Sequence, residues 1–144
     1  MARPIRYWPT GDGAQAPQRN RGAALDLHVR LPGRGWRILW GQAKLSTGIA
    51  LDMPEDAVVR ITGRSGAFLR GFIVHDGLVE SEFNGRELSA LVYCPWPRIV
   101  RHGDRIAQMW ALDVDRQAFQ RADQPSASVQ ASIDSKEGFG STGR

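Results

Sequence analysis

Apolar and polar residues alternate along several short stretches between residues 5 and 114. Residues 25–29 place Leu, Leu and Val on one face and Asp and His on the other, and Trp36–Trp40 alternates in the same way. A period of two predicts half-buried β-strands. Similar stretches recur at 5–8, 47–54, 57–62, 68–74, 78–83, 87–96 and 105–114.

Turn signals separate these predicted strands. Groups rich in glycine, proline or acidic residues at 32–35, 54–56, 95–97 and 102–104 favour turns. His75-Asp76-Gly77 predicts the tip of a β-hairpin formed by 68–74 and 78–83. Only Gln117–Arg121 could hold a helical turn. Many short strands without an amphipathic helix predict an all-β sandwich or barrel.

The composition changes near residue 120. Segment 120–144 is polar and rich in Ser and Gly, so it buries too little apolar surface by itself to offset its ordering entropy. Disorder is the default interpretation of such a tail, yet its ending offers hydroxyls, close backbone approach and one aromatic ring to a nucleotide. We expect one β domain over 1–119 and a flexible carboxyl-terminal arm over 120–144.

Length, charge and cysteine content narrow the range of functions. The chain has 144 residues, a formal net charge of +4 and a pI near 10.0. Its cations form no basic run, so a basic surface with a few arginines for a small anionic ligand is favoured over nucleic-acid binding. No apolar run is long enough to span a membrane. The single cysteine, Cys94, predicts a structural thiol in a reducing, cytoplasmic setting.

Five short segments carry the candidate chemistry. They are Ala23–Leu27 (A-A-L-D-L), Arg64–Gly66 (R-S-G), Gly77–Gly85 (G-L-V-E-S-E-F-N-G), Gly103–Gln108 (G-D-R-I-A-Q) and Gly138–Gly143 (G-F-G-S-T-G). The second segment combines a fork of guanidinium donors, a hydroxyl and a glycine, which suits a phosphate group. In this order, the segments resemble the five motifs of the trimeric dUTP nucleotidohydrolase (dUTPase) family.

The resemblance implies a distorted jelly-roll β-barrel, a homotrimer and active sites built between subunits. The first, second and fourth motifs would bind the triphosphate and Mg²⁺, the third would read the pyrimidine by backbone hydrogen bonds, and the arm of another subunit would close over the nucleotide. The implied reaction is Mg-assisted attack of water on the α-phosphorus of dUTP. Its products are dUMP, which supplies dTMP synthesis, and pyrophosphate, and the reaction limits uracil in DNA.

The third motif departs from the family pattern at its acid. Glu80 stands where the family has the aspartate that activates water, and the extra methylene moves the carboxylate by about 1 Å, a shift that can cost on the order of 10²-fold in rate. The predicted hairpin is about a residue shorter than usual, which could compensate. Phe83 replaces a tyrosine that excludes a 2′-hydroxyl, and the phenyl ring retains that function.

The resemblance assigns the remaining contacts residue by residue. Asp26 would hold Mg²⁺ through water, and His75 at the hairpin tip could touch the base. Asp134 occupies the place of an arginine that grips the terminal phosphate, so Lys136 or Arg144 would have to substitute. The other predicted substrate-binding residues are Arg64, Ser65, Gly66, Gly77, Leu78, Gln108, Phe139 (stacked over the base), Gly140, Ser141 and Thr142.

Two alternatives remain open on the sequence. Glu80, His75 and the short hairpin are compatible with a related pyrophosphatase that prefers dCTP or a modified deoxypyrimidine triphosphate. Asp134 and Glu80 are also compatible with a non-catalytic regulatory paralogue. The complete second, fourth and fifth motifs favour dUTP hydrolysis over both.

Overall fold

The regular structure of the described residues is mainly antiparallel β-sheet. The computed structural model describes residues 3–19, 21–114 and 119–135. The strands are β1 (Arg6–Pro9), β2 (Gln18–Arg19), β3 (Leu25–His28), β4 (Trp36–Asp52), β5 (Ala57–Gly63), β6 (Ile73–Val74), β7 (Gly77–Val79), β8 (Glu87–Arg101) and β9 (Arg105–Asp113). The helices are α1 (Ser65–Leu69) and α2 (Ala127–Ser135), with 3₁₀ turns at Pro32–Arg34 and Ser81–Phe83. The prediction of an all-β fold is confirmed.

Two sheets pack against each other around one apolar core. The first sheet has the strand order β1-β4-β8-β6, and the second has the order β2-β3-β9-β5-β7. Alternate residues of the long strands point between the sheets, so the period of two found in the sequence marks the core. Its largest fully buried side chains include Leu27, Leu39, Leu45, Ile49, Leu51, Leu88 and Ile106.

Two strands are longer than the sequence predicts. β4 runs without interruption through both Trp36–Trp40 and most of 47–54, and β8 continues through Pro95–Pro97, where a turn was predicted. The prediction of a turn there is wrong because the β4–β8 ladder absorbs the prolines in an irregularity between Leu39 and Gly41. Proline is tolerated at such bulges, where no ladder hydrogen bond is lost.

The predicted hairpin around His75-Asp76-Gly77 is also wrong. β6 pairs with β8 in the first sheet, whereas β7 pairs with β5 in the second. Residues 75–76 therefore form a corner that carries the chain from one sheet to the other. Phe68 and Leu69, predicted in a strand, belong to α1.

The predicted helical turn at Gln117–Arg121 is only partly described. Residues 119–121 are irregular, the rest of the segment lies outside the described residues, and in the described part of the arm the helix is α2. Neither helix in the described ranges has the length and apolar character that a membrane crossing needs.

Cys94 is fully buried in β8, and burial raises the pKa of its thiol against the opposing charge of Arg98. Both observations fit the predicted structural role.

Candidate functional site

A row of polar residues crosses the second sheet beside α1. Asp26 in β3 lies opposite Gln108 in β9, which lies opposite Thr62 in β5. One residue after β5 ends, Arg64 takes the extended conformation that precedes α1. The end of β5 thereby places the second motif next to the first and fourth motifs.

Arg64 is held by two contacts that orient its guanidinium group. Its Nε donates to Asp26 Oδ1 at 2.8 Å, and its Nη1 donates to the Arg105 carbonyl at 3.0 Å. Its third nitrogen, Nη2, makes no hydrogen bond to the described residues. This group can therefore donate to a phosphate while the other two fix its direction.

Asp26 is a buried carboxylate, only 5% exposed. Arg105 Nη1 lies 3.5 Å from its Oδ2, outside hydrogen-bond geometry, so within the described residues this oxygen lacks a hydrogen-bond donor. Neighbouring His28 is also buried, and burial lowers the pKa of its imidazole. The Asp26 carboxylate opposes this shift, whereas the cations of Arg105 and Arg64 add to it.

The other predicted phosphate ligands surround this pair. Gln108 Nε2 donates to the Gly63 carbonyl at 3.1 Å, which fixes its amide at the end of β5. Ser65 and Gly66 are exposed in the first turn of α1, where backbone N–H groups have no intrahelical acceptor. Arg64, Asp26, Gln108 and Ser65 thus form one polar group, which we call the phosphate patch.

The third motif lines a cavity of about 390 Å³ whose wall contains residues of both sheets. Gly77, Leu78 and Phe83 lie in its wall, together with His75 and Lys44. Backbone groups beside an apolar ring and a few polar side chains are what a planar base and its sugar require. A neighbouring cavity of about 620 Å³ shares His75 and Lys44 with it, whereas one of about 500 Å³ contains none of the predicted site residues.

Glu80 is exposed and directly follows Val79, the last residue of β7 and part of the cavity wall. The 3₁₀ turn that follows brings Phe83 back toward it, with the Phe83 N–H donating to the Glu80 carbonyl at 2.9 Å. Glu80, the predicted general base, and Phe83, the ring predicted to pack on the sugar, therefore lie on one short turn. We call Glu80, Phe83 and the cavity residues the base patch.

The two patches lie far apart within one chain. Val79 pairs with Val59, so Glu80 follows opposite Val58, four residues along β5 from Thr62 in the polar row. That offset is about 13 Å along the strands, and three strand spacings from β7 to β3 add about 14 Å across them. A single chain therefore does not bring Glu80 to Asp26.

Sequence comparison places the chain among known proteins. Residues 14–143 match the family model described as dUTPase. The chain belongs to the dUTPase family. It is 30% identical to the deoxyuridine 5'-triphosphate nucleotidohydrolase of Vaccinia virus (strain Copenhagen), a match that covers 97% of this chain and 93% of that protein. A 40% identical match to the enzyme of the same name from Paramecium bursaria Chlorella virus 1 covers 48% of this chain and 50% of that protein.

Solved dUTPase structures share the fold. A mutant dUTPase from phage phi11 of S. aureus, whose structure describes the coordination of a structural Mg(II) ion, matches with a TM-score of 0.75 at 15% identity over 87% of this chain and 100% of that chain. The dUTPase of Staphylococcus bacteriophage 80alpha with dUpNHpp matches with a TM-score of 0.72 at 16% identity, over 86% and 90% of the two chains. The two sheets of this chain thus form the dUTPase jelly roll.

Part of the predicted dUTPase site falls outside the described residues. Lys136, Phe139, Gly140, Ser141 and Thr142 all lie there, so their assignment stays a prediction. Asp134 is described, and its Oδ1 accepts a hydrogen bond from Gln130 Nε2 at 2.9 Å within α2.

Two features of the site were missed by the sequence reasoning. Arg105 lies in the quoted fourth motif, but only its position beside Asp26 reveals its electrostatic role. Arg60 forms an ion pair with Asp76 at the corner between the sheets. No local pattern links these two residues, because the ion pair depends on the pairing of β5 with β7.

Proposed function

We propose that the protein is a dUTP diphosphatase that hydrolyses dUTP to dUMP and pyrophosphate. Family membership supports the activity. The observation that carries the assignment to this chain is the oriented Arg64–Asp26 pair, which leaves one guanidinium nitrogen for a phosphate. The base patch supplies the second requirement, a carboxylate and an aromatic ring beside a cavity of nucleoside size.

The residues divide the reaction between them. Arg64, Ser65 and Gln108 donate hydrogen bonds to the triphosphate, and the Arg64 cation stabilises the charge that grows on the leaving pyrophosphate. Glu80 accepts a proton from the water that attacks the α-phosphorus. As the new P–O bond forms, the bond from the α-phosphorus to the oxygen that bridges the α- and β-phosphorus atoms breaks, and pyrophosphate leaves with that oxygen. Phe83 packs on the deoxyribose and excludes a 2′-hydroxyl.

The donor set fits Mg²⁺ held mainly by water and phosphate. The described residues contain no cluster of three or more acidic, His or Cys side chains that could enclose a metal. Asp26 nevertheless offers a buried oxygen without a hydrogen-bond donor among those residues, and Mg²⁺ keeps several waters while taking one or two carboxylates. Bound there, the ion would supply charge neutralisation and orientation of the phosphates.

The distance between the two patches supports a homotrimer with shared sites. A second copy would bring its base patch to the phosphate patch of the first, and the arm carrying Phe139 and Thr142 would close over the nucleotide. The protein would act in the cytoplasm, where it would limit uracil in DNA and supply dUMP for dTMP synthesis.

A second deoxypyrimidine triphosphate should be included in the assay, because the corner before β7 differs from a simple hairpin. His75 and Lys44 both line the base cavity, so hydrogen-bonding side chains accompany the backbone groups that read the base. A deoxypyrimidine other than uracil, such as cytosine in dCTP, is the corresponding alternative.

Pyrophosphate release from a panel of deoxynucleoside triphosphates with Mg²⁺ tests the function. We expect selective dUTP turnover that falls by about 10²- to 10⁴-fold in Glu80→Gln and by no more than about 10²-fold in Glu80→Asp, which keeps the carboxylate. Glu82→Gln is the matched control, since Glu82 is an exposed acid two residues along the same turn.

Each other outcome identifies a different function. Preferred turnover of dCTP or a modified pyrimidine would replace dUTP as the substrate. Nucleotide binding without turnover would establish a regulatory paralogue. Full activity in Glu80→Gln would remove Glu80 from the mechanism.

A further inference from the structure

The corner between the two sheets is anchored on both sides. The His75 N–H donates to the Leu91 carbonyl in the first sheet at 2.8 Å, and Gly77 pairs with Ile61 in the second sheet. Asp76 is the one residue between these anchors. The position of its backbone therefore determines how β7 enters the second sheet.

The Asp76 side chain is held by Arg60 through a two-point ion pair. Arg60 Nε donates to Asp76 Oδ1 at 3.3 Å, and Arg60 Nη2 donates to Asp76 Oδ2. This fork geometry restricts both the distance and the orientation of the carboxylate. A single point charge, such as a lysine ammonium, would restrict the distance alone.

Arg60 is itself fixed by the strand on its other side. It stands in β5 directly opposite Leu78 of β7 and Trp110 of β9, and its guanidinium carbon lies 5.2 Å from the Trp110 ring centroid. Such a cation–π contact restricts the position of the Arg60 guanidinium. Trp110, Arg60 and Asp76 thus form a chain of contacts from the sheet to the corner, which we call the corner clamp.

The residues that follow the clamped corner line the base cavity. Gly77 and Leu78 form the start of β7, and both lie in the cavity wall with Phe83. Backbone N–H and C=O groups cannot adjust through side-chain rotamers. Recognition of the nucleobase by these groups therefore depends on backbone position to within about 0.5 Å. Any freedom of Asp76 is transmitted to these groups because only a peptide bond separates Asp76 from Gly77.

We propose that Arg60 is a positioning residue whose ion pair with Asp76 sets the base selectivity of the cavity. This inference rests on the proposed dUTP hydrolysis. Glu80 lies beyond the Val79–Val59 pair, which holds the end of β7 on β5, and Arg60 makes none of the phosphate-patch contacts. Its loss should therefore weaken recognition of the base and leave the hydrolytic step unchanged.

Steady-state kinetics of Arg60→Gln, Asp76→Asn and the double variant test the clamp. We expect KM for dUTP to rise by up to about fivefold in each, the factor that corresponds to one partly exposed ion pair. We expect kcat to stay within about twofold and the preference for dUTP over dCTP in kcat/KM to fall by a similar factor to the rise in KM. Arg60→Lys should recover part of the selectivity because it keeps the charge without the fork.

The double variant and a distant ion pair provide the controls. The double variant should be no worse than either single variant, since both remove the same interaction. Arg3→Gln breaks the exposed Arg3–Asp52 ion pair elsewhere on the surface, and its KM and selectivity should match those of the wild type. Unchanged selectivity in Arg60→Gln, or independent effects that multiply in the double variant, would overturn the proposal.

Hydrogen exchange separates failure of this inference from failure of the proposed function. Amides 75–78 should exchange faster in Arg60→Gln and Asp76→Asn than in Arg3→Gln, whatever the substrate proves to be. A wild-type protein that does not turn over dUTP would reject the proposed function and with it the selectivity role. Wild-type turnover of dUTP with unchanged selectivity and unchanged exchange in the variants would reject the clamp alone.

Discussion

The phosphate patch depends on how one buried acid is neutralised. An isolated carboxylate is costly to bury, so a buried Asp26 requires cationic partners. Arg64 and Arg105 supply those partners. The ion pair also has a functional consequence, because two nitrogens of Arg64 donate to Asp26 and to the Arg105 carbonyl, whereas Nη2 makes no hydrogen bond to the described residues.

Asp26→Asn should separate these two roles. The amide keeps the size of the side chain and can still accept a hydrogen bond from Arg64, so we expect a folded protein. Loss of the charge should raise the Mg²⁺ concentration needed for half-maximal activity by about 10- to 100-fold, the range seen when groups around a metal are altered. Activity measured against Mg²⁺ concentration gives this shift directly.

The exposed acid Asp56 provides the comparison for Asp26. Asp56→Asn should leave the Mg²⁺ dependence unchanged. An identical Mg²⁺ dependence in Asp26→Asn and the wild type would show that Asp26 contributes only to the fold.

At the scale of elements, the sequence predicts strands well and their limits poorly. β5 and β9 were predicted because buried apolar residues alternate with more exposed ones along part of each strand. β3 shows the same alternation in sequence, although its polar face, with Asp26 and His28, is buried as well. The continuity of β4 and β8 was missed because bulges and two prolines interrupt the local pattern without ending the ladder. The corner at Asp76 was mistaken for a hairpin because a turn signal does not show which sheet the next strand joins.

The same contrast applies to the candidate site. The five motifs could be found because their residues resemble the family pattern, and the family match over 14–143 agrees with them. Their roles in binding phosphate, metal and base stay predictions. The contacts of Arg60 and Arg105 could not be predicted, because their partners are 16 and 79 residues away and meet them only through strand pairing.

The irregularity in β4 near Gly48 provides a test of element geometry. Gly48 has φ of +70°, and a Cβ there would lie 2.6 Å from Ala14 Cβ and 2.7 Å from Arg30 Cδ. Gly33 has nearly the same φ, +71°, but nothing lies within 4 Å of its Cβ position. An L-residue with this backbone costs about 1–2 kcal/mol at either site.

Gly48→Ala should therefore destabilise the protein more than Gly33→Ala. Overpacking against Ala14 and Arg30 adds about 1–3 kcal/mol at Gly48 alone. The free energy of unfolding from urea denaturation measures both. Equal losses in the two variants would mean that backbone conformation, without packing, explains the glycine at 48.

Glu87 in β8 accepts hydrogen bonds from Ser46 and Gly48 in this irregular part of β4. These contacts predict that stability depends on pH. Burial by itself would raise the pKa of Glu87, but hydrogen bonds from Ser46, the Gly48 N–H and Thr10, with the charge of Arg30, outweigh it and hold the pKa below its ordinary value. A carboxyl group with a lowered pKa stabilises the folded state fully above its ordinary pKa. That contribution is lost as the pH falls through the lowered value.

The free energy of unfolding of the wild type and Glu87→Gln, compared between about pH 7 and about pH 3, tests this linkage. At neutral pH we expect the wild type to be more stable by about 1–3 kcal/mol, the range for hydrogen bonds to a charged group. The difference should shrink in acid, where protonated Glu87 resembles glutamine. A difference that does not vary with pH would contradict the assignment.

At the scale of the whole molecule, two features of the chain support the proposed assembly. The phosphate and base patches are separated by about 13 Å along the strands and about 14 Å across them. In addition, the outer face of the first sheet exposes a group of large apolar side chains, Trp40, Ile73, Leu91 and Tyr93. Apolar faces of this kind are commonly covered in an assembly, so the proposed second copy would account for both features.

Mixing two inactive variants distinguishes a shared site from a site within one chain. Arg64→Ala removes the phosphate patch and leaves Glu80 intact, whereas Glu80→Gln does the reverse. If each site takes Arg64 from one copy and Glu80 from another, random assembly of equal amounts restores about one quarter of the sites, because each copy carries the required intact half with a probability of about one half. If both residues served the same site from one chain, no mixture could contain a complete site. Activity measured after the variants are refolded together should therefore approach a quarter of the wild-type value. A mixture no more active than its two parents would show that the site forms within one chain.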